Sequence, residues 1–224
     1  MLQRIYERIY ENRLRSLVSG HNMPAGLTLV MTESDVSTPG GIEKLRSFVL
    51  WCADIGIESL IVYIAVIVDE TLKRDATSQI IDRLAKTDLI ARMYVRDDHG
   101  ARMISTVDQD KGEGMDYRVK LDISIGYGGK LELTDAIKGI LKKVEDGEID
   151  LDDINTDMIE SHLIFKYKPD LVIRAGGKYL TDFLIWQTIY SELYFTDVNF
   201  AEMRRLDFLR IIRDYQKRQR RYGR

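Results

Sequence analysis

The densest set of side chains that could act on a ligand lies at the C-terminal end of the chain. Arg204, Arg205, Arg210, Arg213, Lys217, Arg218, Arg220, Arg221 and Arg224 fall within its last stretch. On a chain of net charge −3 this run suits a local anion: a phosphate, a diphosphate or a lipid headgroup. It equally suits a solvated last helix, whose cations oppose the negative end of its dipole. Other groupings fail as motifs. GYGGK and GGKY hold Gly-Lys pairs but lack the earlier glycine and the following Ser or Thr of a phosphate-binding loop. DGEIDLDDIN is acidic without the ligand spacing of a calcium loop. His21, His99 and His162 are scattered with no metal-ligand spacing.

The elements that must position these residues are legible in the apolar pattern. Strand-length runs occur at 26–31, 59–68, 91–95, 119–127, 170–174 and 193–195, and helical spacing falls between them. Helices are expected over 2–18, with Ile5, Ile9 and Leu14 among its apolar positions, and over 41–55 and 72–86. Others are expected from 131, from a cap at Asn155 or Thr156 to about Phe165, over 183–190, and over 203–220. Residues 97–117 read as a polar loop. Alternation of this kind predicts a single α/β domain, 1–224, with a central, mostly parallel sheet flanked by helices. Ligands of such sheets bind beyond the carboxyl ends of the strands, here the loops after Met31, Tyr127 and Arg174.

Bulk properties narrow the class. At 45% hydrophobic and 31% charged the composition is globular, and the net charge gives no reason to expect a nucleic-acid partner. A single cysteine, Cys52, fits a reducing cytosol. No apolar run approaches the ~20 residues that span a bilayer, and MLQRIYERIYENRLRSL has no apolar core like that of a signal peptide. A cytoplasmic protein is expected, with at most peripheral contact at a membrane surface.

The segment PDLVIRAGGKYLTDFLIWQTIYSELYFTDV (169–198) resembles the C-terminal signature of the cis-prenyltransferases, the undecaprenyl diphosphate synthase superfamily. That signature runs approximately Pro-Asp-Leu-x-Ile-Arg-Thr-Gly-Gly-Glu-x-Arg-x-Ser-Asn-Phe-Leu-x-Trp-Gln, then Tyr-x-Glu-Leu-x-Phe. YGGK (127–130), GIESLIVY (56–63) and the closing QRRYGR (219–224) agree with the same family. The resemblance implies a dimeric α/β protein of isoprenoid synthesis. Its chemistry condenses isopentenyl diphosphate onto an allylic diphosphate with cis geometry, and magnesium assists departure of the allylic diphosphate. It also implies roles: Arg174 for isopentenyl diphosphate, Glu192 as a late metal-binding residue, and Arg221 and Gly223 as the Arg-x-Gly tail that reaches a neighbouring active site.

The sequence departs from the family where catalysis would begin. Active members carry Met-Asp-Gly-Asn-x-Arg-Trp-Ala at the end of strand one, and that Asp organises magnesium. Here the segment reads Met31-Thr32-Glu33-Ser34-Asp35, so Thr32 stands where the Asp belongs. Only nine residues separate Met31 from Gly41, and Thr38 lies nearest the family's diphosphate-contacting His. Ala65-Val66-Ile67-Val68-Asp69-Glu70 replaces Phe-Ser-x-Glu-Asn-Trp. After Gly177 the signature is one residue short, so its second Arg falls on Tyr179, its Ser on Thr181 and its Asn on Asp182. Losing one preorganised electrostatic stabiliser costs roughly 10²–10³-fold in rate.

These departures lead to the expectation of a non-catalytic accessory subunit, resembling the Nogo-B-receptor type. It would pair with a catalytic subunit as a heterodimer or heterotetramer, or as a homodimer in isolation, with magnesium in the partner's site. Two alternatives stay open. One is an active prenyltransferase with an atypical site that uses Glu33, Asp35 or Asp69. The other is a polyprenyl-binding protein with an apolar groove.

Overall fold

The computed structural model describes residues 2–18, 22–67, 70–87, 91–97, 100–105, 119–177, 179 and 182–218. The apolar runs become β1 (Gly26–Thr32), β2 (Ser59–Ala65), β3 (Ala91–Asp97), β5 (Lys120–Ile125), β6 (Leu171–Ala175) and β7 (Glu192–Thr196). With β4 (Gly100–Ser105) they form one seven-stranded sheet in the order β4-β3-β5-β2-β1-β6-β7. Every neighbouring pair is parallel except β3 with β4. The helices are α1 (Leu2–Val18), α2 (Glu33–Ser37), α3 (Gly41–Asp54), α4 (Glu70–Ala85), α5 (Gly129–Glu145), α6 (Thr156–His162) and α7 (Arg205–Lys217). The chain is a single α/β domain with a mostly parallel sheet flanked by helices.

Alternation along the strands divides the core. On β1, Leu27, Leu29 and Met31 face one side and join the main cluster with Leu45, Phe48 and Cys52 of α3 and Phe208, Leu209 and Ile212 of α7. Thr28, Val30 and Thr32 alternate to the other side. There Val30 packs with Tyr63, Ala65, Val172 and Phe183. α1 packs on α7 and buries Leu14 and Val18, while Ile9 points to solvent.

Four stretches differ from the sequence expectation. Residues 100–105, placed in a polar loop, form β4, an antiparallel edge strand paired in register from Arg92↔Ser105 to Asp97↔Gly100. An edge strand buries little, and Arg102 and Met103 are exposed, so the apolar signal of a strand is missing. Residues 183–190 form turns rather than a helix. Their apolar side chains fasten an irregular segment to the sheet, and that mimics helical spacing. The five residues of α2 were not expected as a helix, and α7 ends at Lys217 rather than at about 220. At α6 the cap is Asn155, whose side chain accepts the Met158 N–H at 2.9 Å.

The turn segment is held by contacts that only particular residues allow. A Cβ on Gly128 would lie 2.0 Å from the Asp182 carbonyl oxygen, so any side chain there would push the segment away. Asp182 Oδ1 accepts the backbone N–H of Lys130 at 3.0 Å, a carboxylate at the positive end of α5. Deeper, Glu132 is 2% exposed. It accepts the N–H groups of Ile164 and Phe165 at 2.8 and 3.0 Å and the Gln187 Nε2 at 2.9 Å. Gln187 also donates to the Phe165 carbonyl at 3.1 Å. One buried carboxyl therefore ties α5, the strand-entry segment before β6 and the turns after it.

Two measurements test this account. Phe48 is fully buried against Phe200 and Phe208, at ring distances of 5.9 and 5.0 Å. Phe48→Ala is expected to cost about 3–5 kcal/mol in urea unfolding; a loss under ~1 kcal/mol would mean that the site collapses around the gap. Burial holds the Glu132 carboxyl above its ordinary value, and its three hydrogen bonds only partly offset that. In this range the native state then binds the proton more tightly than the unfolded chain, so this group's contribution to stability falls as pH rises through the raised pKa. Glu132→Gln removes that term, and the Gln187 amide can turn to pair with the new one. Urea titrations across pH should show the wild type losing stability relative to Glu132→Gln as pH rises above the ordinary carboxylate range. A pH-independent difference would show that Glu132 is no harder to ionise folded than unfolded.

Candidate functional site

The carboxyl ends of β1 and β6 meet beside each other. Register pairs Val30 with Arg174 on β6 and with Tyr63 on β2, so these three side chains stand in one row on one face of the sheet. Arg174 is only 7% exposed. It donates from Nη1 to the Val30 carbonyl at 3.3 Å and from Nε to the Tyr179 carbonyl at 3.4 Å. Among the described residues this buried guanidinium meets carbonyls alone, an environment that suits an arriving anion. The turn behind it is fixed by Gly176, whose φ of +64° suits glycine. Its N–H is shared between the Thr196 and Val198 carbonyls at 3.0 Å each. Burial, and then the nearby Asp182 carboxylate, push the Tyr63 hydroxyl pKa up, so it stays protonated.

The end of β1 has a different character. Thr32 is the N-cap of α2. Its backbone N–H and its hydroxyl both donate to Asp35 Oδ2, at 2.8 and 2.9 Å, and its hydroxyl lies 2.7 Å from the Ser34 hydroxyl. Glu33 Oε2 accepts the Ile67 N–H at 3.2 Å. Arg83 on α4 donates to the Ser37 and Thr38 carbonyls at 2.7 and 3.3 Å. The short segment between β1 and α3 is thus closed by its own hydrogen bonds.

Glu192 lies elsewhere. It pairs in register with Leu171, and Leu171 with Leu27, so it sits at the amino end of the sheet while Thr32 sits at the carboxyl end. Five strand residues, about 16 Å, separate those levels. Its carboxylate accepts from Arg218 Nη1 at 3.1 Å. Within one chain, Arg174 and Thr32 are brought together and Glu192 is not. Tyr179, where the signature's second Arg falls, is 85% exposed. Arg221, Gly223, Asp69 and Thr181 lie outside the described residues.

A magnesium ion takes hard oxygen donors, carboxylates first. At the end of β1 the strand offers a threonine hydroxyl, Asp35 is engaged by Thr32, and Glu33 by Ile67. Among the described residues no three His, Cys, Asp or Glu side chains are grouped to hold a metal ion. The donors present do not fit magnesium at this site of the single chain. Sequence reasoning missed Glu132, which lies on the buried stripe Glu132, Ala136, Ile140 of α5. A carboxylate repeating with apolar residues at i, i+4 and i+8 is the signal that marks it. Among the described residues no helix is long and apolar enough to cross a membrane.

Comparison with known proteins agrees with this fold. The tritrans,polycis-undecaprenyl-diphosphate synthase (geranylgeranyl-diphosphate specific) of Picrophilus torridus is 32% identical over 96% of this chain and 96% of its own. The protein of the same description in Pyrococcus furiosus is 37% identical over 82% of this chain and 76% of its own. Isoprenyl transferase 1 of Corynebacterium efficiens is 30% identical over 99% and 98%. Among solved structures, a probable undecaprenyl diphosphate synthase from Campylobacter jejuni matches with a TM-score of 0.65, at 21% identity, over 91% of this chain and all of that one. The lavandulyl diphosphate synthase of Lavandula x intermedia matches with a TM-score of 0.64, at 20% identity, over 90% and 99%. At those identities the structures speak for the fold alone. The undecaprenyl diphosphate synthase family model matches residues 32–223, and the chain belongs to that prenyltransferase family.

Proposed function

We propose that this chain is a non-catalytic accessory subunit of a heteromeric cis-prenyltransferase that makes polyprenyl diphosphate for glycan carrier lipids. The observation that carries the reading is Thr32, a hydroxyl bonded into its own helix cap where an active member needs a free carboxylate. The segment after it supports the same reading, since Glu33 is engaged by the Ile67 N–H and the Ser37 carbonyl by Arg83. On this reading magnesium belongs to the partner's site. The partner binds the allylic diphosphate, and Arg221 and Gly223 of this chain reach that site to help hold isopentenyl diphosphate. Arg174 is a retained diphosphate group.

The edge of the sheet supports a chain-to-chain contact. β7 is the last strand, with nothing paired on its outer side among the described residues. From Phe183 to Phe195 only Glu192 is charged, in a chain that is 31% charged overall. Ile189 is 70% exposed there, beside exposed Ile185, Tyr190, Leu193 and Phe195. Exposed apolar side chains concentrated in one stretch support a protein interface, and the low charge of that stretch favours a partner face that is equally apolar.

A self-sufficient synthase with an atypical metal and diphosphate site is the second reading. The names of the relatives favour it more directly than they favour an accessory role, because those proteins are described as synthases. Glu33 or Asp35 would then have to leave their present partners to take a cation.

The deciding assay supplies labelled isopentenyl diphosphate, an allylic diphosphate and magnesium to this chain alone and to its mixture with a catalytic homologue from the same genome. The accessory reading expects no product alone, product above the partner's own level in the mixture, and loss of that gain with Arg221→Ala. Turnover by the isolated chain would establish the synthase reading instead.

A further inference from the structure

We infer that Arg218 is a positioning residue that fixes where the basic tail leaves the domain, and that Glu192 serves as its anchor rather than as a metal ligand. The inference rests on the accessory reading and assigns its tail a built starting point.

Arg218 is the last described residue, one past the end of α7, and its N–H closes the helix on the Tyr215 carbonyl at 3.0 Å. Its guanidinium is spread over four groups. Nη1 donates to Glu192 Oε2 at 3.1 Å and to the Leu193 carbonyl at 3.0 Å. Nη2 donates to Asp214 Oδ2 at 3.4 Å. The plane lies 5.7 Å from the Tyr194 ring centre. Three of those contacts fall on consecutive residues of β7, and the fourth on α7. The side chain therefore pins the helix end to the edge strand at one place.

An isolated exposed ion pair would be too weak to fix a chain. Here the Arg218 and Glu192 side chains are 35% and 28% exposed, and a planar fork engages two carboxylates and a strand carbonyl together. The carbonyl matters most for direction, because a strand carbonyl cannot swing as a side chain does. Arg218 is also placed at the amino end of β7, away from the Thr32 end of the sheet. The tail thus starts at the amino end of the edge strand, whereas Arg174 pairs with Phe195 nearer that strand's carboxyl end.

The test measures steady-state kinetics of the mixture of this full chain with the catalytic homologue, varying isopentenyl diphosphate and magnesium separately. Arg218→Ala and Glu192→Gln, each removing one side of the pair, are expected to raise KM for isopentenyl diphosphate about three- to tenfold, with kcat little changed. Arg218→Lys should keep most of the wild-type KM. All three should leave the magnesium half-saturation unchanged, and thermal unfolding should confirm that each variant is folded. Arg221→Ala, measured beside them, reports the tail itself, and combining it with Arg218→Ala should add no further rise. A shift in magnesium half-saturation with Glu192→Gln but not with Arg218→Ala would make Glu192 a metal ligand and overturn the inference. Wild-type KM in both single variants would overturn it as well. If the wild-type mixture makes no more product than the partner alone, the accessory reading itself fails, which the variants cannot mimic.

Discussion

The register of β1 between β2 and β6 is the constraint on which the rest depends. Once Val30 is paired with both Tyr63 and Arg174, alternation decides every neighbouring side chain. A slip of β1 by one residue would drive Leu27, Leu29 and Met31 out of the main core and turn Thr28 and Val30 into it. The cost would be several buried aliphatic side chains, so no such slip competes. The buried layer of α3 and α7 thus fixes, from the far side of the sheet, which residues line the face where β1 and β6 end.

That face is unusually polar for an interior. Arg174, Glu132 and Asp122 are all buried. Asp122 is matched by a fork from Arg92 at 2.6 and 2.7 Å and by the Tyr167 hydroxyl. Glu132 is matched by two backbone N–H groups and an amide. Among the described residues Arg174 has only carbonyls. The first two are closed networks whose polar demand is met inside the fold, and such networks specify geometry. Arg174 is the member left with charge to offer, and it is also the one at the carboxyl end of its strand. Position and incomplete compensation coincide at the same residue.

Legibility in the sequence followed burial. Strands buried on both faces, such as LIVYIA and LVIRA, appear as unbroken apolar runs and were readable at once. β4 was not, because an edge strand with exposed Arg102 and Met103 carries no such run. Residues 183–190 misled for the opposite reason: they are apolar because they cover a sheet and expose an edge, not because they wind into a helix. Arg174 was marked by its motif, and the structure places it buried at the carboxyl end of β6. Glu132 was not, since nothing in a single sequence tells a buried carboxyl from a solvated one until the helix stripe is phased. The far placement of Glu192 was invisible for a plainer reason. A motif gives order along the chain, whereas the distance from Thr32 depends on which ends of parallel strands are level.

The two ends of the site differ in character, and the difference constrains how the chain can work. At β6 the guanidinium of Arg174 is buried and held by backbone, so its placement depends on the β6 turn and Gly176. At the end of β1, Thr32 bonds to Asp35 and lies beside the Ser34 hydroxyl, Glu33 reaches to Ile67, and Arg83 of α4 closes the far end. The turn is thereby tied both to its own helix cap and to the elements beside it. The β1 end is thus held by a network of hydrogen bonds, while the β6 end presents a buried guanidinium bonded, among the described residues, to carbonyls alone.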